Sequence, residues 1–280
     1  MNNFMMRTIT GLAMVFILLF SLSYTYWLFA GIFLAVVILG LWEFYTIFSS
    51  EYANPQKIYG ILAGSLLYLA LVSSNRIEII PAFRGYGLPS ALSLVIFFLS
   101  FIIEIYRKQR YPLINVATTM AGIFYIALPL GLMNALNSPS SVHFHGFPAL
   151  LLGYFILTWF YDTGAYLYGR PFGKHSFFER ISPKKTWEGT IAGCFVAVLT
   201  AIGFGFLVPE ILIADWLSLA VLIIIFGNFG DLAESLFKRS LNIKDSGNIL
   251  PGHGGILDRF DTIFMSAPFV FLYCILRNLI

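Results

Sequence analysis

Charged side chains are scarce in this 280-residue chain: Asp, Glu, Lys and Arg make up 11% of it, under half the ~25% usual in soluble domains. Cysteine is scarcer still. Cys194 and Cys274 both lie in apolar stretches, cannot build a disulfide framework or a cysteine metal box, and read as small hydrophobes. The residues Met1 to Arg7 do not read as a secretory pattern either. No small-residue cleavage site follows the first apolar run, so that run is expected to stay as a span. In place of charge the chain has apolar surface: 59% hydrophobic residues and a mean hydropathy of +0.82. A soluble globule of this size could not bury so much, so the excess must face lipid. That excludes a soluble enzyme, a secreted module and a disordered chain. The 29 Phe and 15 Tyr suit helices in a bilayer, with Tyr and Trp near its interfaces.

A span needs about 20 apolar residues. Thr8 to Trp42 is 35 residues without a charge, too long for one helix, and the polar stretch Ser21–Tyr26 predicts a hairpin within it. The predicted spans are Thr8–Ser21, Tyr26–Phe48, Lys57–Ser74, Ser90–Tyr106, Leu113–Leu136, Phe147–Tyr168, Glu188–Val208, Ile211–Phe229 and Thr262–Leu276. The expected fold is therefore all-α, a polytopic membrane helical bundle of about nine transmembrane helices. Residues 1–146 read as scaffold and lipid access, and 147–280 as the catalytic region. With the N-terminus in the cytoplasm, fourteen Lys and Arg fall on the cytoplasmic side and three, Arg76, Arg84 and Arg277, on the other. The positive-inside rule favours that orientation, with the C-terminus outside.

Polar residues concentrate in two predicted cytoplasmic connections. In the second, Asp231 and Glu234 are three apart and Glu234 and Lys238 four apart, so on a continuing helix all three share a face. Asp258 and Asp261, also three apart, open the last helix. Four carboxylates at the ends of two helices, near the membrane surface, point to function. Hard oxygens without Cys or clustered His suit Mg²⁺. Lys238, Arg239, Lys244 and Arg259 suit phosphate groups. The turn Pro251-Gly-His-Gly-Gly255 precedes a helix. Gly254 and Gly255 would let backbone N–H groups approach an anion at that helix N-terminus, and His253 could bind phosphate or move a proton.

The first connection holds Asp162-Thr-Gly-Ala-Tyr166 and Ser182-Pro-Lys-Lys-Thr-Trp-Glu-Gly189. Asp162 needs a partner, and Arg170 is within reach in sequence. Ser182, Lys184, Lys185 and Thr186 read as a helix N-terminus with two cations and two hydroxyls, a second phosphate grip. It lies 46 or more residues ahead of Asp231 and reads as separate from it. His175 reads as an ordinary interfacial residue, and Glu43 and Glu104 as structural acids at span ends.

The run Ser235-x-Phe-Lys-Arg239, then Lys244-Asp-x-Gly247, then Leu250-Pro-x-His-Gly-Gly-Ile256-x-Asp258-Arg-Phe-Asp261, 27 residues in all, resembles the C-terminal pattern of the phosphatidate cytidylyltransferase (CDP-diglyceride synthase) family, in its short bacterial form. Asp162-Thr-Gly-Ala-Tyr and Ser182-Pro-Lys-Lys-Thr-x-Glu-Gly resemble family segments as well. The resemblance implies a reaction in which CTP and phosphatidic acid give CDP-diacylglycerol and pyrophosphate. It also implies a homodimer in a bacterial cell membrane, surrounded by membrane lipids, with no nucleic-acid partner. It further implies a two-metal centre of Mg²⁺ with a monovalent cation such as K⁺. The corresponding metal carboxylates are Asp231 and Asp258, with Asp261 next and Glu234 beside them. A CTP-dependent polyprenol or phytol kinase, or another lipid cytidylyltransferase, shares these features. An ion-coupled transporter would instead carry carboxylates near the midplane, commonly in inverted repeats; here the acids gather towards one face and no repeat is visible. The charge distribution gives a direct test of topology. Reporter fusions after Arg110, Lys185 and Lys244 should read cytoplasmic and one after Ser140 should not; Ser140 and Lys185 on the same side would overturn the nine-span reading.

Overall fold

The structure, a computed structural model, describes residues 3–74, 87–137, 141–250, 252 and 254–280. Arg76, Arg84 and His253 lie outside the described residues. Among the described residues there are ten α-helices: α1 (Asn3–Tyr24), α2 (Tyr26–Ile47), α3 (Lys57–Ser74), α4 (Gly87–Arg107), α5 (Pro112–Gly122), α6 (Leu128–Met133), α7 (Ala149–Phe172), α8 (Trp187–Leu207), α9 (Ile213–Ser240) and α10 (Leu257–Leu276). Two short antiparallel hairpins join them: β1 (His143–Phe144) with β2 (Phe147–Pro148), and β3 (Ser176–Phe178) with β4 (Ser182–Thr186). The all-α, polytopic architecture read from hydropathy is present. Among the described residues, seven helical segments are long and apolar enough to cross a membrane: α2, α3, α4, the composite Pro112–Asn137, α8, α9 and α10. The other two expected spans are also helices. The apolar run of α1, Thr8–Tyr24, is shorter, and α7 turns polar in its second half, from Asp162 to Arg170.

The predicted hairpin in the long charge-free run falls at Thr25, whose hydroxyl accepts from the Leu28 N–H and caps α2. The composite segment is not a plain helix. A π-turn, Ile123–Ala127, separates α5 from α6, just ahead of Pro129, which has no N–H to continue an i→i−4 ladder.

The chain forms two compact units. The first comprises residues 1–139 and 243–260, the second 140–242 and 261–280. The motif loop 243–256, which the sequence places with the C-terminal half, thus packs within the unit built from α1–α6. In that unit Tyr45 is fully buried and its hydroxyl donates to the Thr119 carbonyl at 2.7 Å. The ring fills the space left by two glycines: a Cβ on Gly60 or Gly122 would run into it.

In the second unit, small residues set the packing of α7 on α8. A Cβ on Gly189 would fall 2.7 Å from the Ala165 carbonyl and 2.9 Å from the Cα of Gly169, and one on Gly193 2.8 Å from the Tyr161 carbonyl. Where lipid removes the hydrophobic drive between helices, such glycine contacts let backbones pack closely. The Tyr154 hydroxyl and Ser266 Oγ, 2.6 Å apart, tie α7 to α10. Tyr161 and Asn228 exchange hydrogen bonds between α7 and α9 at 2.9 and 2.6 Å. Truncating Tyr45 should expose how much the first unit relies on it. Tyr45→Ala leaves a ring-sized cavity and is expected to cost about 3 kcal/mol or more, against about 1 kcal/mol for Tyr45→Phe, which loses the hydrogen bond alone. Thermal unfolding in detergent reads the order; equal melting of the two variants would contradict it.

Candidate active site

The second unit assembles a cleft of about 720 Å³ from α7, β4, α8 and α9. Its walls include Asp162, Tyr166 and Arg170 from α7, Lys184, Lys185 and Thr186 from β4, and Asp231 from α9. Segment 182–186 is an edge of a hairpin, not a helix N-terminus as its sequence suggests. β4 pairs with β3 through Ser176 opposite Thr186 and Phe178 opposite Ser182. The helix starts one residue later: Thr186 is its N-cap, accepting from the Gly189 N–H at 3.3 Å. Pro183 and the capping threonine both suit an extended backbone that ends in a helix.

This hairpin overturns the expectation of a separate phosphate grip. Lys185 Nζ lies 2.8 Å from Asp231 Oδ2, so residues 46 apart share one site. An alternating strand puts successive side chains on opposite sides; Lys185 is mostly enclosed, whereas Lys184 is exposed. Asp162 finds its counter-charge in Lys185 as well, and not in Arg170. Eight helical residues span about 12 Å, and Arg170 instead donates to the Tyr166 hydroxyl one turn back, at 3.1 Å.

Asp231, Asp162 and Asp261 are electrostatic neighbours in this unit, with Lys185 and Lys238 among them. Gly230 lets α9 press on the first turn of α10, since a Cβ there would strike the Asp261 carbonyl. The predicted face of α9 is also present: Lys238 pairs with the buried Glu234 one turn earlier. Arg239 is exposed at the end of α9, and Ser182 is half-buried at the start of β4. His175 is more than an interfacial residue. Its Nδ1 lies 2.6 Å from Glu188 Oε1, and Glu188 Oε2 accepts from the Lys174 and His175 N–H groups. This clamp fixes the end of α7 to the start of α8.

In the first unit, the glycine-rich turn reads differently from its sequence. Gly254 has φ +84°, a conformation glycine adopts without strain. The N–H groups expected to meet a bound anion are met by the chain's own carboxylates. Gly255 N donates to Asp258 Oδ2 at 2.9 Å, and Ile256 N to Glu43 Oε2 at 2.8 Å. Ser246 donates its N–H to Asp258 Oδ2 at 3.0 Å, and its hydroxyl oxygen lies 3.0 Å from the same atom. Glu43 therefore belongs to the motif's surroundings, which sequence reading missed because it lies some two hundred residues away. Its signal is a lone acid closing a charge-free run. Lys244 and Arg259 are exposed.

Among the described residues no three His, Cys, Asp or Glu side chains form a ready-made metal cage. A Mg²⁺ that takes one or two carboxylates and completes its shell with substrate phosphate and water does not need one. The hard oxygens around Asp231, with lysines alongside, fit that ion.

A cleft of acids and lysines among apolar helices has the character of a membrane enzyme that handles phosphate-bearing substrates. The chain belongs to the cytidylyltransferase family, whose sequence profile matches residues 5–276. It is similar to the phosphatidate cytidylyltransferase of Staphylococcus haemolyticus, 35% identical over 235 residues that cover 75% of this chain and 86% of that protein. The enzyme of the same name from Staphylococcus aureus is 35% identical over 74% of this chain and 86% of the relative. That of Staphylococcus saprophyticus is 40% identical over 61% of this chain and 64% of the relative.

A double-mutant cycle tests whether Lys185 and Asp231 act as one unit. Lys185→Met and Asp231→Asn should each depress CTP turnover, and the double variant should be little worse than the poorer single one. Additive losses would separate the two residues again.

Proposed function

We propose that this chain is a phosphatidate cytidylyltransferase of a bacterial cell membrane, joining CTP and phosphatidic acid into CDP-diacylglycerol and pyrophosphate. The observation that carries this reading is the Lys185–Asp231 pair. It draws the Ser182–Thr186 segment and the Asp231 stretch of α9 into one cleft. In the reaction a phosphate oxygen of the lipid forms a bond to the α-phosphorus of CTP. The bond from that phosphorus to the bridging oxygen breaks, and pyrophosphate departs with the electron pair. Lipid phosphate is already anionic near pH 7, so no strong base is needed, and catalysis rests on positioning and charge stabilisation. Exposed Lys184 is placed to attract the triphosphate, with Ser182 and Thr186 beside it. Lys185 is placed where charge grows, and Lys238, Arg239, Lys244 and Arg259 supply further positive charge. His253, Gly254 and Gly255 are proposed to line the substrate side of the motif turn.

Asp231, with Asp261 and Glu234 near it, is the proposed Mg²⁺ carboxylate of the second unit; Asp258 is proposed as a metal ligand on the strength of the motif. When bound, the ion would supply electrostatic stabilisation of the phosphate charge. A monovalent cation such as K⁺ beside it, a homodimer, and nine spans with a cytoplasmic N-terminus and an outward C-terminus complete the proposal. The lysine- and arginine-rich connections support that orientation.

Purified protein in mixed micelles should convert CTP labelled at the α-phosphate into labelled CDP-diacylglycerol, and chelation of Mg²⁺ should stop it. Asp231→Asn and Asp258→Asn should each keep less than about a tenth of the rate, a loss of at least ~1.4 kcal/mol in transition-state stabilisation. Lys184→Ala should raise KM for CTP and spare kcat, whereas Lys185→Ala should lower kcat. Label that stays water-soluble while a polyprenol gains phosphate would identify the related kinase instead.

A further inference from the structure

Glu43 sits in α2, far from the motif in sequence, yet it is 4% exposed and sits against the motif loop. Its carboxylate accepts from the Ser246 hydroxyl, from Ile256 N at 2.8 Å and from Leu257 N at 3.4 Å. Those two amides are orphan donors at the start of α10, and orphan N–H groups of a helix are normally met by a side chain of the preceding turn. Here the cap comes from another helix, and its negative charge faces the positive end of the α10 dipole. The fit is close. A Cβ on Gly255 would overlap both Glu43 and Ser246, and one on Gly247 would lie 2.9 Å from the Glu43 carboxyl carbon. Ser246 also links the two acids. Its hydroxyl contacts Glu43 and, at 3.0 Å, Asp258 Oδ2, which further accepts from Ser246 N and Gly255 N.

We infer that Glu43 is a positioning residue for Asp258: an N-cap supplied from α2 that fixes Ser246 and the first turn of α10, and through them the orientation of the Asp258 carboxylate. The inference rests on the proposed role of Asp258 in the reaction. The partners of the Glu43 carboxylate are protein donors. An uncharged amide in its place keeps the size but brings an N–H₂ towards a site made entirely of donors, so Glu43→Gln is the informative change. A carboxylate one methylene shorter, Glu43→Asp, restores the charge and should rescue in part.

The experiment combines steady-state kinetics with hydrogen exchange on the full chain in micelles. Glu43→Gln should lower kcat at least tenfold, change KM for CTP and phosphatidate by less than about twofold, and raise the Mg²⁺ concentration for half-maximal rate. The amides of residues 246–257 should exchange faster while those of α7 and α8 keep their protection. Ser246→Ala, a milder change, should move the same quantities in the same direction, and it decides the matter if Glu43→Gln does not fold. Unaltered Mg²⁺ dependence and unaltered loop exchange would overturn the inference. So would a global loss of protection in which the folded fraction turns over normally. If the unmodified chain makes no CDP-diacylglycerol, the functional reading fails. The exchange comparison then still decides whether Glu43 holds the loop.

Discussion

A carboxylate inside an apolar helical protein must be met by donors, because water is not there to solvate it. That constraint organises both units of this chain. Glu43, Glu104, Asp215 and Glu234 are all buried, and each has named partners. Glu104 takes Gln56, Arg107 and Asn115. Asp215 takes the Tyr273 hydroxyl and Arg277. Glu234 takes Lys238, and Glu43 takes the amides that open α10. Asp162 and Asp231, by contrast, line the cleft and share Lys185.

Glycine makes the second of these arrangements possible. The Gly189 and Gly193 contacts bring α8 against the backbone of α7, which sets where the strand before α8 begins and so where Lys185 points. Gly230 does the same for α9 on α10. The cleft is thus built by residues without side chains and used by residues with long ones. Lys185 sits on a short hairpin, whereas Asp162 and Asp231 are carried by helices.

A phosphatidate cytidylyltransferase joins a water-soluble nucleotide to a lipid held in the bilayer. The distribution of polar residues suits that division. α7 is apolar and buried through its first half and polar from Asp162 onward, so one helix runs from the protein interior to the wall of the cleft.

The sequence by itself determined the class of structure and the family. Hydropathy requires helices in a membrane, since no water-soluble core could absorb 59% hydrophobic residues. The positions of α2, α3, α8 and α10 follow from apolar runs bounded by polar residues, because lipid demands a continuous helical backbone. The acidic pairs at Asp231 and Asp258 are equally legible, as local spacing on a helix is a one-dimensional property. Contacts across the chain were not. Pro183 and Thr186 suit an extended stretch leading into a helix, but that the stretch is a strand is decided by its pairing with Ser176–Phe178. The partner of Lys185 lies 46 residues away, and the acid that caps α10 lies 213 residues from the amide it meets. Side-chain partners of that kind are fixed by how helices pack, and packing depends on shape complementarity summed over many residues, which no short stretch of sequence encodes.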